Sequence, residues 1–223
     1  MRAVVFDMDG VIVDSEAQWK ELEAEFFRAT VPAWRAEHHE KIVGMGVEDV
    51  YDFLVRDFDL AIGKVEFLHL SDEVARKVYV QRVEIAEGFI PLALGLKHKG
   101  IRVAIASSSP SRWIAHVVDR FSLSPLLDEI VSADDVGGRT KPLPDIYLEA
   151  AARLKIPTVE CLAIEDSSIG LLAAKRAGLR TAAFRTTHNA AQDLSLADFE
   201  LSGFDGLDYE RLIARLRLAE SRP

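Results

Sequence analysis

Residues 3–15 read AVVFDMDGVIVDS, and this stretch decides the fold. Ala3 to Phe6 has the pattern of a short buried strand, and two aspartates, Asp7 and Asp9, follow it directly. Side chains two residues apart on an extended chain point to the same side, so the two carboxylates should converge. In an open parallel sheet, ligands bind outside the carboxyl ends of the strands, where this pair would lie. Asp9-Gly10 is also an ordinary turn sequence, so the motif alone leaves a purely structural explanation open.

Further apolar runs rich in β-branched residues alternate with helical patterns along the chain. These runs are Ile101 to Ala106, Glu129 to Val131, Cys161 to Ile164 and Thr181 to Phe184. The alternation predicts βαβ units, and therefore an α/β fold with a Rossmann-like parallel sheet. A last amphipathic pattern, Tyr209 to Leu218, predicts a closing helix.

The first two apolar runs are separated by far more residues than one crossover helix needs. The intervening residues show apolar positions at helical spacing and few strand signals. We therefore predict a sheet core formed by residues 1–13 and 90–223, with a helical insertion at residues 14–89. Pro91 is predicted to start the helix that returns to the sheet, and Gly100 to end it.

The composition is that of an ordinary globular protein, with 49% hydrophobic and 28% charged residues. The net charge of −9 makes nucleic acid an unexpected partner, because proteins that bind it usually present a basic face. Between Asp14 and Glu87 there are 9 basic and 17 acidic residues, so this segment carries −8 of the −9 charges.

The apolar start is too short for a signal peptide or a membrane span, so we expect no membrane association and a cytoplasmic location. The lone Cys161 should be a buried hydrophobe, and a monomer is the default expectation.

The second apolar run leads into the sequence IASSSPS, residues 105–111. Ser109 suits a helix N-cap and Pro110 suits the first helical position. Backbone amides at a helix N-terminus bind anions, and the Ser107 hydroxyl adds a donor beside them. The segment therefore predicts a phosphate site, although Ser-Pro turns are usually structural.

Two further segments contribute a cation and an acidic pair. GGRTKPLPDIY, residues 137–147, places Lys141 on a loop ahead of a predicted helix, and CLAIEDSSIG, residues 161–170, ends a strand in Glu165 and Asp166. Carboxylate oxygens are ligands suited to Mg²⁺, and a lysine beside them can offset the charge of a phosphate. Taken singly, the lysine also fits a solvated side chain, and the acidic pair also fits a helix-capping turn.

Together the four segments resemble, in order and spacing, the four motifs of the haloacid dehalogenase superfamily. The strings DxDGVxxDS, KPxPDIY and EDSxxG are most similar to the branch of β-phosphoglucomutase and phosphoglycolate phosphatase, in which a helical cap domain follows the first strand. The resemblance implies that Asp7 is the nucleophile and Asp9 the general acid and base. It also implies that Ser107, Ser108 and Lys141 bind the transferring phosphoryl group, with Ser108 using its backbone amide.

The same resemblance implies a Mg²⁺ cofactor. Its ligands would be the side chains of Asp7 and Asp166 and the backbone carbonyl of Asp9, while Glu165 would be an outer or additional ligand. The partner implied is a small phosphorylated metabolite, and the activity implied is hydrolysis of a phosphate monoester through an aspartyl phosphate.

Two alternatives to a phosphatase stay open at this point. Sugar-phosphate mutases of the same branch carry a histidine where this chain has Trp19, and a lysine and an arginine where it has Val43 and Val47. Without those cations a bisphosphate intermediate has no evident second anchor, which favours hydrolysis. A protein that binds phosphorylated metabolites without turnover is disfavoured by the intact set of motif residues.

Trp19 and Met45 are expected either to line a substrate pocket or to pack between helices.

Overall fold

A six-stranded parallel sheet forms the centre of the computed structural model, which describes residues 1–42 and 44–221. The strands are β1 (Ala3–Phe6), β2 (Arg102–Ala106), β3 (Glu129–Val131), β4 (Cys161–Glu165), β5 (Arg180–Phe184) and β6 (Phe199–Leu201). Their order in the sheet is β3-β2-β1-β4-β5-β6, with every neighbouring pair parallel. The predicted α/β class with a Rossmann-like sheet is confirmed. β6, at one edge of the sheet, was not predicted from the sequence.

Within the described residues, eight α-helices accompany the sheet. They are α1 (Glu16–Thr30), α2 (Val47–Phe58), α3 (Lys64–Lys77), α4 (Phe89–His98), α5 (Ser111–Arg120), α6 (Asp145–Leu154), α7 (Ser168–Arg176) and α8 (Tyr209–Glu220). Among the described residues, no helix is long and apolar enough to cross a membrane.

Helices cover both faces of the sheet, as a parallel sheet requires. Alternation along β1 sends Val4 and Phe6 into a cluster with apolar residues of α4, α5 and α8. It sends Ala3 and Val5 to the opposite face, where they pack with residues of α6 and α7. Cys161 lies in this second cluster and is buried, as predicted. The central strand is thus fully buried, and its carboxyl end leads directly into Asp7.

The helical insertion has a hydrophobic cluster of its own. The cluster includes Phe27 of α1, Leu54 of α2 and Phe67 of α3, all almost completely buried. A π-helical turn, Val78–Arg82, then leads the chain back toward the sheet. The boundaries at residues 14 and 89 stay predictions.

Two helix starts differ from those predicted. α4 begins at Phe89, so Pro91 is its third residue; a proline fits there because the first-turn N–H groups have no intrahelical partner. α5 begins at Ser111, and Pro110 takes the N-cap position, with its carbonyl accepting from the Trp113 amide. Ser109 therefore does not cap α5, and its hydroxyl has another partner in the site.

Candidate active site

The carboxyl ends of three adjacent strands bring the predicted site residues together. β1 lies between β2 and β4, and Phe6 is in register with Ile105 and Ile164. Asp7, Ser107 and Glu165 consequently emerge side by side, although they are far apart in the sequence. They line or adjoin one cleft, here called the active-site pocket, whose walls include Asp7, Asp9, Ser107, Ser108 and Lys141.

Lys141 forms a buried ion cluster with two carboxylates. Its Nζ lies 2.5 Å from Oδ1 of Asp7 and 2.5 Å from Oε1 of Glu165. The Lys141 side chain is only 2% exposed, so water hardly screens these charges. The loop that precedes α6 thus carries the lysine into the site, which excludes a solvated surface role.

Burial and charge shift the pKa values within this cluster. Burial raises the pKa of Asp7 to about 8, against the opposing effect of Lys141. Burial alone would lower the pKa of Lys141, but the adjacent Asp7 and Glu165 outweigh it and raise that pKa. Lys141 is therefore a permanent cation. A divalent cation beside Asp7 would favour the ionised carboxylate, the form that a nucleophile needs.

Glu165 is held by more partners than the sequence indicated. It is completely buried, its Oε1 accepts a hydrogen bond from the Tyr147 hydroxyl, and its Oε2 accepts one from Ser167 Oγ at 3.2 Å. A Cβ added at Gly170 would clash with this carboxylate, so α7 can approach only because residue 170 is glycine. Burial and the neighbouring Glu165 also raise the pKa of Tyr147.

Three carboxylates form a group with the geometry of a metal site. Asp7, Glu165 and Asp166 are all buried, and each offers an oxygen within 4.8 Å of the others. Hard oxygen donors of this kind suit Mg²⁺. Gly10, at φ 72°, leaves room for the Asp166 carboxylate, which a Cβ there would strike. The Asp9 side chain is outside this group.

Asn189 supports this edge of the site and was missed by the sequence analysis. Its side-chain amide donates to the backbone oxygens of Asp166, at 2.8 Å, and of Phe184, at 2.7 Å. Its Oδ1 accepts from the Thr186 amide, so the buried side chain is fully bonded. No motif marks a lone asparagine in a loop, so the sequence carried no signal for it.

Asp9 lies in a separate hydrogen-bond network. Its Oδ1 accepts from Ser15 Oγ at 2.7 Å and from the Tyr79 hydroxyl at 2.8 Å, and its Oδ2 accepts from Ser109 Oγ at 3.1 Å. Tyr79 in turn accepts from Trp19 Nε1 at 3.2 Å. The two aspartates of the motif therefore have different environments, one beside a cation and the other among hydroxyl donors.

The serine run forms a cradle next to Asp7. The amide of Ser109 donates to Ser107 Oγ at 3.1 Å. Ser108 Oγ is buried and has no hydrogen-bond partner among the described residues. The N-terminus of α5 follows, so hydroxyl and amide donors converge where the sequence analysis predicted a phosphate site.

Fold and site together define an α/β protein with a carboxylate-rich active site at the carboxyl edge of its sheet. A family model for haloacid dehalogenase-like hydrolases matches residues 1–178, and the chain belongs to that family. The predicted family is therefore confirmed.

Similar proteins agree with this membership. Hexitol phosphatase B of Escherichia coli (strain K12) is 30% identical over 188 residues, which cover 80% of this chain and 81% of that protein. The crystal structure of CbbY from Rhodobacter sphaeroides in complex with phosphate has a TM-score of 0.83 at 24% identity, covering 96% and 99% of the two chains. The crystal structure of β-phosphoglucomutase from Clostridium difficile has a TM-score of 0.80 at 21% identity, and the match covers 100% of this chain and 100% of that chain. The family and its phosphatase-named members confirm the predicted enzyme class, a phosphoric monoester hydrolase.

Proposed function

We propose that the protein is a Mg²⁺-dependent phosphatase that hydrolyses a small organic phosphate monoester through a phosphorylated Asp7. The observation that carries this proposal is the position of Asp7, which lies against Lys141 and two further carboxylates while facing the same pocket as Asp9. A nucleophile, a cation and an acid–base group are thus held around one cavity. The phosphatase names among the relatives support the same activity.

In the first step a carboxylate oxygen of Asp7 attacks phosphorus, and the bond from phosphorus to the ester oxygen breaks. Asp9 gives its proton to the departing alkoxide. In the second step Asp9 takes a proton from water, whose oxygen attacks the aspartyl phosphate and releases phosphate from Asp7. One difficult displacement is thereby divided into two easier ones. The hydroxyls of Ser15, Ser109 and Tyr79 hold Asp9 in place during both steps.

Lys141 and the serine cradle, residues 107–109, bind the phosphoryl group. Lys141 supplies positive charge from the floor of the pocket, while the Ser107 hydroxyl and the Ser108 amide supply donors. These groups are already oriented by their contacts in the protein, so little reorganisation accompanies the reaction. Their charges and dipoles offset the repulsion between the Asp7 carboxylate and a phosphate dianion.

The metal would be held by the side chains of Asp7 and Asp166 and by the Asp9 carbonyl. Glu165 is better suited to holding Lys141, because both of its oxygens already accept hydrogen bonds. When bound, Mg²⁺ supplies charge neutralisation for the phosphoryl oxygens and fixes their orientation. The donor chemistry of the carboxylate group supports this assignment.

Hydrolysis is favoured over a mutase reaction by the charges around the pocket. Of the described residues that line it, Lys141 is the only lysine or arginine. Val47 and Trp19 occupy the wall where the mutases carry cations or histidine, whereas Val43 lies outside the described residues. Beyond Lys141, a second phosphate would therefore find no lysine or arginine within the described lining, where His39 is the one further basic side chain.

The direct test is to trap the phosphorylated enzyme. We expect phosphate release from p-nitrophenyl phosphate with Mg²⁺, and a mass increase of one phosphoryl group on the peptide that contains Asp7 after rapid acid quench. Asp7→Asn should abolish both signals, and Asp205→Asn, at an exposed position, should change neither. Phosphate release without label on Asp7 would contradict the covalent route.

A further inference from the structure

The wall of the active-site pocket opposite the phosphoryl site is built from apolar side chains. The cavity measures about 110 Å³. Five of its apolar lining residues are only half-buried, so they pack against the hydrophobic clusters on one side and keep accessible surface on the other. These residues are Trp19, Phe26, Met45, Val47 and Val74. They come from α1, α2, α3 and the loop before α2, so the helical insertion supplies this wall.

The polar atoms of the aromatic side chains in this wall are already hydrogen-bonded within the protein. Trp19 Nε1 donates to the Tyr79 hydroxyl, and that hydroxyl donates to Asp9. Trp113 Nε1 donates to Asp72 Oδ1 at 2.6 Å. The Trp19 and Trp113 rings lie 5.2 Å apart, and Trp19 meets Tyr79 edge-on at 5.8 Å. A ligand here contacts ring surfaces, which favour apolar groups and other rings.

Few polar groups on this side are available to a substrate. The hydroxyls of Tyr79 and Ser109 are already bonded to Asp9. Apart from these, the two aspartates and the phosphoryl-binding residues, the described lining offers His39, Ser71 and Ser167 as polar side chains. A phosphorylated sugar or sugar alcohol would bring several hydroxyls into this space. Each hydroxyl left unpaired lowers affinity on the order of tenfold.

We infer that the substrate is a monophosphate ester of a compact apolar alcohol, aromatic or aliphatic, rather than of a polyol. The inference rests on the proposed phosphatase function and specifies its leaving group. It separates this chain from the hexitol phosphatase it resembles. The phosphoryl group occupies the polar end of the pocket, and the organic group contacts the wall formed by the helical insertion.

A matched pair of substrates tests the inference. Benzyl phosphate and sorbitol 6-phosphate both release a primary alcohol, so their demands on the acid are similar while their polarity differs. We expect kcat/KM for benzyl phosphate to be higher by on the order of 10–10²-fold. Equal values, or a preference for sorbitol 6-phosphate, would overturn the inference and leave the phosphatase standing. No phosphate release from either ester, or from p-nitrophenyl phosphate with Mg²⁺, would overturn the phosphatase and this inference with it.

Two valines of α3 provide a matched pair of variants. Val74→Thr places a hydroxyl on the pocket wall with little change in volume, and Val65→Thr makes the same change at an 85% exposed position. We expect Val74→Thr to reduce the preference for benzyl phosphate several-fold, up to on the order of tenfold, mainly through KM. Val65→Thr should leave it unchanged. An unaltered preference in Val74→Thr, with a melting temperature like that of Val65→Thr, would contradict a role for this wall in selecting the substrate.

Discussion

Tyr79 donates a 2.8 Å hydrogen bond from its hydroxyl to Oδ1 of Asp9, although 70 positions separate the two residues. Tyr79 belongs to the turn that leads back from the helical insertion, and it is completely buried. Burial, followed by the nearby Asp9, raises the pKa of its phenol, so the hydroxyl stays protonated and acts as a donor. The insertion therefore positions the proposed acid–base group.

Tyr79→Phe should lower kcat for an alkyl phosphate by about tenfold, the effect expected when one hydrogen bond to a charged group is lost. KM should change little, because Tyr79 is not among the phosphoryl-binding groups. The measurement is steady-state kinetics beside Tyr209→Phe, a tyrosine of α8 remote from the pocket. Because Trp19 Nε1 would also lose its acceptor, melting temperatures should be compared. An equal loss in the rapid-quench rate at which p-nitrophenyl phosphate phosphorylates the enzyme would indicate a general structural defect instead of misplacement of the acid.

Asp9→Asn should slow turnover of an alkyl phosphate on the order of 10²–10⁴-fold. Formation of the phosphorylated enzyme from an aryl phosphate should suffer less, because a phenolate leaves with little proton donation. Rapid-quench measurement of that step for both leaving groups separates the two cases. Equal losses would argue against Asp9 as the acid.

Removal of divalent metal should abolish phosphate release, and added Mg²⁺ should restore it. Ca²⁺ should not restore it, because the larger ion adopts looser coordination. Mg²⁺ should also raise the melting temperature, since a ligand that binds the folded state stabilises it. Asp166→Asn should weaken both effects, and Asp193→Asn at the exterior serves as its control. Full activity of the metal-stripped protein would refute the metal assignment.

Gly170→Ala should reduce activity strongly, because the new methyl group would collide with the Glu165 carboxylate and displace the partner of Lys141. Gly95→Ala is the control, since a Cβ there meets nothing within 4 Å in another helix. Activity and melting temperature should both fall for the first variant. Wild-type kinetics for Gly170→Ala would show that the buried ion cluster tolerates movement of α7.

Incubation with β-glucose 1-phosphate, Mg²⁺ and a trace of glucose 1,6-bisphosphate tests hydrolysis against phosphate migration. The part of the pocket lining that the structure describes carries one lysine and no arginine, so a bisphosphate should not be retained. We expect any turnover of either ester to yield inorganic phosphate and no net glucose 6-phosphate from glucose 1-phosphate. Rapid formation of glucose 6-phosphate with little free phosphate would make the mutase the better assignment.

Much of the sheet and of the site could be predicted because both depend on local pattern. Short runs of β-branched residues bounded by turns mark the strands, and parallel topology brings their carboxyl ends together. Asp7, Ser107 and Glu165 each follow such a run directly, and Asp166 comes next, so their convergence needed no knowledge of distant contacts. The helix starts near Pro91 and Pro110 were less accurate, because proline fits several positions of a first turn.

By itself the sequence determined which strand ends carry chemical groups, since the order of apolar runs and the residues behind them are local properties. Only the tertiary structure decided how those groups are held: Tyr79 on Asp9, Tyr147 on Glu165 and Asn189 at the Asp166 backbone. It also decided that α1 and α3 present an apolar wall to the pocket. Each of these contacts joins residues distant in the chain, and packing of the helical insertion and the loops against the sheet selects them. A local sequence pattern does not specify that packing. The same tyrosine, asparagine or valine would fit many positions if the helices were arranged differently.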